Sequence, residues 1–236
     1  MNGNSMKKIA YANAVADDKV RRFVPPVRVV RESAGVSDSA ALLDGVHTQS
    51  FVHFNPRECV LPPGGEIILD FGLELHGLLT VTTGCMKLSR ARITFGESVS
   101  ETLGTPTQDH AIHQELLSLP QLGQVNFGQT AFRFVRLEIP ADAPEVRLIG
   151  VVATAIYRDW EYRGTFLSDD ERLNRIWEVG AYTVHLNCQD YIYDGVKRDR
   201  LVWMGDLYPE IRTILAAFDE TALVEKSLDF VRDHTP

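Results

Sequence analysis

The stretch Gly164-Thr-Phe-Leu-Ser-Asp-Asp-Glu-Arg-Leu-Asn-Arg-Ile-Trp177 is where the chain changes its periodicity. Ser168-Asp-Asp-Glu171 reads as a helix start, with Ser168 as N-cap and Glu171 completing a capping box. Leu173, Ile176, Trp177, Gly180, Tyr182, Val184 and Leu186 then recur at about the 3.6-residue helical period. A second helix is expected near Leu207-Tyr-Pro-Glu210, where Pro209 suits a first turn, running through Ile211, Ile214, Leu215 and Phe218. A third follows Asp219, with Leu223, Val224, Leu228 and Val231 on one face.

Upstream of this change the pattern is one of short strands and turns. Glu66–Phe71 reads as a strand ending at Gly72, Gly77–Thr83 as one ending at Gly84, and Arg90–Phe95 as one ending at Gly96. Ala131–Ile139 is strand-like and stops at Pro140; Val135, Leu137 and Ile139 share one face, Phe132 and Phe134 the other, leaving the inner face open. Val146–Ile156 is a further strand. Thr102–Gln129 is polar and irregular and reads as a long loop with an uncertain short strand. Many short strands at this spacing point to an antiparallel β-sandwich. The expected division is an N-terminal extension at 1–47, a β-sandwich at 48–158, and a helical domain beginning at 159 and incomplete at 236. In the extension, Phe23–Val30 should be extended because of its two prolines, and Glu32–Val46 a loop or short helix.

Composition is that of an ordinary globular protein, with 44% hydrophobic and 24% charged residues in 236. A net charge of −8 without a basic stripe argues against nucleic-acid binding. No run approaches the roughly 20 apolar residues of a membrane span. Cys59, Cys85 and Cys188 are odd in number and far apart, which argues against a disulfide framework or a zinc site. The N-terminal apolar stretch is too short and polar for a signal peptide, so a cytoplasmic location is expected.

The chemistry concentrates in Tyr193-Asp-Gly-Val-Lys-Arg-Asp-Arg-Leu-Val-Trp-Met-Gly-Asp-Leu-Tyr-Pro-Glu210. This segment between two expected helices holds Asp194, Asp199, Asp206 and Glu210, three cations (Lys197, Arg198, Arg200) and Trp203. Long loops on rigid scaffolds are where binding and catalysis concentrate. Glycoside cleavage needs one carboxylic acid for the leaving oxygen and a second carboxylate for water or carbon. Carboxylates also accept hydrogen bonds from sugar hydroxyls, and a tryptophan face packs on a pyranose. Neighbouring carboxylates raise one another's proton affinity and flanking arginines oppose this, so which group keeps a proton stays open. The plain alternative is a solvated run of alternating charge, or a structural ion-pair net.

The pattern Asp194-x-x-x-Arg198-Asp199-Arg200-x-x-Trp203-x-Gly205-Asp206 resembles the signature of the α-L-rhamnosidases of glycoside hydrolase family 78. Leu69-Asp-Phe-Gly72 with Glu74 and Gly77, and Phe95-Gly-Glu-Ser98 with Glu101, look like that family's β-sandwich. Gly164–Asp169 with Leu173–Trp177 looks like the entry to its (α/α)6 barrel. The resemblance implies an α+β multidomain fold, an antiparallel β-sandwich followed by the first helices of a six-hairpin barrel. It also implies an inverting hydrolase of terminal rhamnosides needing no cofactor. By position, Asp199 matches the general acid, where many members have Glu. Asp194 and Asp206 match residues that hold the sugar, and Arg198 and Trp203 help shape the pocket. The family's base is a Glu far along the barrel. The 236 residues are therefore expected to be inactive alone, and their unfinished helical faces to favour self-association.

The different-class alternatives are a carbohydrate-binding protein without turnover, and a remnant folded only in its sandwich. A metal site at Asp109, His110, His113 and Glu115 is the weaker reading of a segment that looks like loop. Glu97, Ser98 and Glu101 are expected at a strand end and turn of the sandwich. Ser98 lacks the context of a serine nucleophile. Cys188 and Trp177 are expected in the core. No Walker or dinucleotide motif is present.

Overall fold

The computed structural model describes residues 18–45, 57–107 and 111–234. Eight strands are found among them: β1 (Lys19–Val24), β2 (Arg28–Glu32), β3 (Cys59–Leu61), β4 (Glu66–Thr83), β5 (Ser89–Gly96), β6 (His113–Leu119), β7 (Gln124–Glu138) and β8 (Val146–Arg158). Every pairing is antiparallel, in the order β1-β8-β4-β7-β5-β6, with β2 on β4 and β3 on β8. The helices are the single-turn α1 (Val99–Thr102), then α2 (Glu171–Asn187), α3 (Met204–Ala217) and α4 (Ala222–His234).

The two strands expected either side of Gly72 are one strand of 18 residues. Gly72 holds φ +87°, within a register break against β7 between Asp70 and Leu75. A positive φ lets the strand kink and go on, where sequence reading placed an end. Before the kink β4 pairs with β2, and towards its end it pairs with β8, while β7 follows it along both stretches. Strands that bend in this way carry one hydrogen-bonded sheet into two layers. The core between the layers holds Ile67, Leu69, Leu79, Val81, Ile93, Phe95 and Val151, all at most 0% exposed. In β7, Phe132, Val135 and Leu137 belong to that core, as does Ile139 just after the strand, and Phe134 lies outside it beneath the Arg133 guanidinium, 4.9 Å from the ring centre.

Two expectations change here. Thr102–Gln129 is not mainly loop: it contains β6 and the start of β7, whose polar residues face outward along the sheet edge. The described part of the expected extension, residues 18–45, is joined to the sandwich sheet. Its β1 pairs with β8 and its β2 with β4, and Ser39–Leu43 forms a 3-10 helix that buries Ala41 and Leu42.

The helix limits shift for local reasons. The cap of α2 is Asp170, which accepts from Arg172 N–H at 2.9 Å. Ser168, expected to be the cap, is engaged elsewhere: its hydroxyl accepts from Asp170 N–H, and the Asn174 amide bonds both its backbone groups. Helix α3 starts three residues before Leu207, which puts Pro209 inside it. The carbonyl that Pro209 leaves without a helical donor belongs to exposed Gly205, where water can serve it. On α4, Leu228 is 39% exposed, and the buried contact is made by Ser227. Its hydroxyl accepts from Ile192 N–H at 3.1 Å and donates to the Leu223 carbonyl at 2.8 Å.

The helical part is fastened to the sheet at the end of β8. The Arg158 guanidinium, buried at 6% exposure, donates to the Gln189 carbonyl from Nε at 2.9 Å and Nη2 at 2.6 Å. Gln189 returns a bond from Nε2 to the Ile156 carbonyl at 3.3 Å, and His185 Nε2 meets the Arg158 carbonyl at 2.7 Å. Further on, Gly164 N–H donates to the Ala217 carbonyl at 3.0 Å, and a Cβ at Gly164 would lie 1.8 Å from the Ala216 oxygen. Only glycine permits that approach. Replacing Arg158 by Met should leave the buried Gln189 carbonyl without its donors. A loss of stability on the order of 3 kcal/mol is expected, read as a lower urea midpoint at unchanged slope.

Candidate active site

The segment after α2 is folded into a closed loop by its own backbone. Asp194 N–H donates to the Leu201 carbonyl at 2.9 Å, and Leu201 N–H donates to Asp194 Oδ1 at 2.9 Å. At the far end Arg200 N–H donates to the Arg198 carbonyl at 2.8 Å, a bond spanning two residues. Asp199 stands between them at φ +62°, followed by Arg200 at +55°. Such turns are strained for residues other than glycine, at roughly 1–3 kcal/mol each. The turn presents the Asp199 carboxylate outward, with Oδ2 3.5 Å from Arg198 Nε.

This loop forms one wall of a cavity of about 520 Å³. Asp194, Lys197, Arg198 and Asp199 line it from the loop, Asp206 from the first turn of α3, and Thr183 and Asn187 from α2. A carboxylate in the first turn of a helix is stabilised by the positive end of the helix dipole. The opposite wall comes from the sandwich: Glu74 of β4, and Glu97 and Glu101 around α1. The structure thus brings Asp194, Arg198, Asp199 and Asp206 to one cavity. Trp203 does not line it; it is the residue before α3, 54% exposed.

Two carboxyls, Glu74 in the cavity wall and Glu210 bonded to the cavity-lining Asn187, are held well above the ordinary carboxylate range. Burial, then the charge of Glu97 and a hydrogen bond with it, pushes Glu74 up to about 7, with Lys197 opposing. Burial also pushes Glu210 up to about 7; the Asn187 amide, 3.0 Å from Oε1, works against this, and Asp206 and Asp194 add to the rise. Glu210 Oε2 is buried with no partner among the described residues. Sequence reading gave neither group a role. For Glu210 a signal existed, since it lies one helical turn after Asp206 on α3. For Glu74 none did, because its place beside the loop arises from the kink of β4.

The remaining candidates fall elsewhere. Glu97 and Glu101 stand at the strand end and turn expected of them, and they also line the cavity. Ser98 caps α1 by accepting from Glu101 N–H. His113 lies on β6, hydrogen-bonded through Nδ1 to Thr130, and burial lowers its pKa. Asp109 and His110 lie outside the described residues. Among the described residues no group of three or more His, Cys, Asp or Glu side chains could hold a metal ion. Cys188 is buried, and Trp177 packs by Ala181, Ala217 and Phe218. Among the described residues no helix is long and apolar enough to cross a membrane.

Residues 161–235 match the family model described as the bacterial alpha-L-rhamnosidase 6 hairpin glycosidase domain. The chain is similar to a solved rhamnosidase from Klebsiella oxytoca with rhamnose bound, at 25% identity over 90% of this chain and 44% of that one, with a TM-score of 0.71. A GH78 family rhamnosidase of Bacillus sp. GL1 is 21% identical over 84% of this chain and 21% of its own, with a TM-score of 0.65. The α-L-rhamnosidase of Streptomyces avermitilis, complexed with L-rhamnose, is 17% identical over 91% of this chain and 18% of its own, with a TM-score of 0.62. At those identities the last two show the fold. The chain spans less than half the length of the Klebsiella protein. No curated protein matches the chain.

Glu210 supplies a pH test. Its folded pKa of about 7 exceeds the ordinary 4.5, so folding favours the protonated form. The stability this brings is fully present below about 4.5 and is lost as pH rises through 7. Glu210→Gln mimics the protonated form and keeps the acceptor for Asn187. It should match the unmodified protein at pH 4 and exceed it at pH 8 by on the order of 2 kcal/mol in chemical denaturation.

Proposed function

We infer, from a helical part that matches the bacterial α-L-rhamnosidase six-hairpin glycosidase model, that this chain carries the acid side of an inverting α-L-rhamnosidase site. The observation that carries the reading is Asp199 at the apex of its turn, facing a cavity it shares with Asp194, Arg198 and Asp206. The cavity falls within the roughly 300–1,000 Å³ common for small-ligand sites, and its walls offer acceptors for sugar hydroxyls.

In this reading Asp199 acts as general acid. It gives its proton to the glycosidic oxygen as the bond from that oxygen to the anomeric carbon breaks, and the aglycone leaves as an alcohol. Water attacks the opposite face of the sugar and yields its proton to a second carboxylate, so the anomeric configuration inverts. Arg198 Nε, 3.5 Å from Oδ2, is the cation that faces the carboxylate left after transfer. Asp194 and Asp206 hold the hydroxyls of the rhamnosyl ring. The base is a carboxylate of the later barrel, as the family resemblance implies. Trp203, exposed beside the cavity, would meet the sugar only by packing from outside.

Leu173, Ile176, Val179 and Leu215 stand exposed on α2 and α3. In a six-hairpin barrel such faces are covered by neighbouring helices, and in a chain of these residues they favour self-association. The three cysteines, all free and buried, fit a reducing compartment such as the cytoplasm.

Calorimetry with L-rhamnose tests the site. The chain is expected to bind the sugar weakly, and Asp206→Asn to lower the affinity about tenfold, the ~1.4 kcal/mol of one charged hydrogen bond. Asp199→Asn should leave affinity nearly intact. No heat at millimolar sugar would sink the proposal. The 236 residues alone should not turn over an aryl α-L-rhamnoside, and measurable turnover would contradict the assignment of the base to the later barrel.

A further inference from the structure

The loop carrying Asp199 is tied to the β-sandwich on both sides of that residue. Two positions before it, Lys197 is buried at 6% exposure and ion-paired with Glu101 Oε1. One position after it, Arg200 donates from Nη2 to the Gln129 carbonyl of β7 at 2.6 Å and from Nε to the Val196 carbonyl at 3.0 Å. Between these anchors lie the two successive positive φ values. A loop whose own backbone disfavours its shape keeps that shape only where its surroundings over-determine it.

Glu101 is built to be such an anchor. Its Oε2 accepts from Glu97 N–H at 2.7 Å, and its own N–H donates to Ser98 Oγ at 3.2 Å. These two bonds hold Glu101 on α1, by its side chain to Glu97 and by its backbone to the N-cap Ser98, and leave Oε1 directed at Lys197. A merely solvated acidic residue would need neither bond.

We propose that Glu101 is a positioning residue that acts through Lys197 to hold Asp199 at the cavity wall, so that the sandwich is a working part of the active site. The proposal rests on Asp199 being the reacting carboxyl. Its geometric half can be read without any sugar. The reporters are the amides of Asp194, Arg200 and Leu201, each hydrogen-bonded inside the loop.

The full chain and its E101Q, K197M and E145Q variants are compared by amide hydrogen exchange and by calorimetry with L-rhamnose. E145Q breaks only an exposed ion pair with Arg147 and serves as control. E101Q and K197M should speed exchange of the three loop amides at least about tenfold and leave β4 and β8 unchanged; they should also weaken L-rhamnose binding by about tenfold, because the loosened loop displaces the sugar-holding Asp194 together with Asp199. Loop exchange equal to that of E145Q in both variants overturns the proposal. So does slower or faster exchange spread evenly over the sandwich, which marks a tie for stability alone. If the loop amides respond but the unmodified chain binds no rhamnose, the positioning holds and the sugar reading fails. If rhamnose binds equally to all four proteins, the sugar reading stands and the positioning fails.

Discussion

The buried guanidinium of Arg158 is the joint on which the arrangement depends. It ends β8 and spends two donors on one carbonyl just beyond α2. A buried cation is costly unless its donors are matched, so this bond specifies where the helix end must lie. His185 and Gln189 return bonds to the same strand, closing the joint from the helical side. With the end of α2 fixed on the sheet, the residues after Gln189 have one course, and it runs over the kinked side of the sandwich.

That course explains why the cavity has walls from both parts. The kink of β4 at Gly72 brings Glu74 to the loop, and α1 brings Glu97 and Glu101. Helices alone would have provided Asp194 and Asp199 in the linker and Asp206 on α3, with no wall opposite them. The sandwich adds an acidic opposite wall and two anchors. It also creates a charge problem, since several carboxyls face one buried ammonium. The response is visible at Glu74, which burial and Glu97 together push up to about 7. Glu210, bonded to Asn187 of α2, is held in the same range, mainly by burial. Two carboxyls near neutrality beside a group of aspartates make the charge of this site sensitive to pH in the physiological range.

The likeness to rhamnosidases and the geometry bear on different questions. The family model covers the helical part, and the structural likeness extends over the sandwich as well. Neither assigns a task to an individual side chain. The proposed roles rest on the loop geometry: a strained turn at Asp199, the pinch between Asp194 and Leu201, and a helix N-terminus behind Asp206. Trp203 is the residue for which motif and geometry part company, because the start of α3 turns it towards solvent.

Much of this was legible in the sequence because it is local. Period-2 strands, the change of period at Gly164, three amphipathic helices and the spacing of charged residues in the loop are all patterns within a few residues of one another. The same locality explains the errors. Ser168 and Asp170 are equally good caps by type, and only the Asn174 side chain decided between them. Gly72 marks a break in either case, and whether a strand ends or bends there depends on the partners β2, β7 and β8. Glu74 and Glu210 carry no local sign of their raised pKa, since burial comes from segments distant in the chain. The sequence by itself determined the order of strands then helices, most of the elements, and the charged loop in which the chemistry was sought. Only the tertiary structure decided which carboxyls face one another, because that depends on the joint at Arg158 and the tie from Lys197 to Glu101, contacts 31 and 96 residues apart.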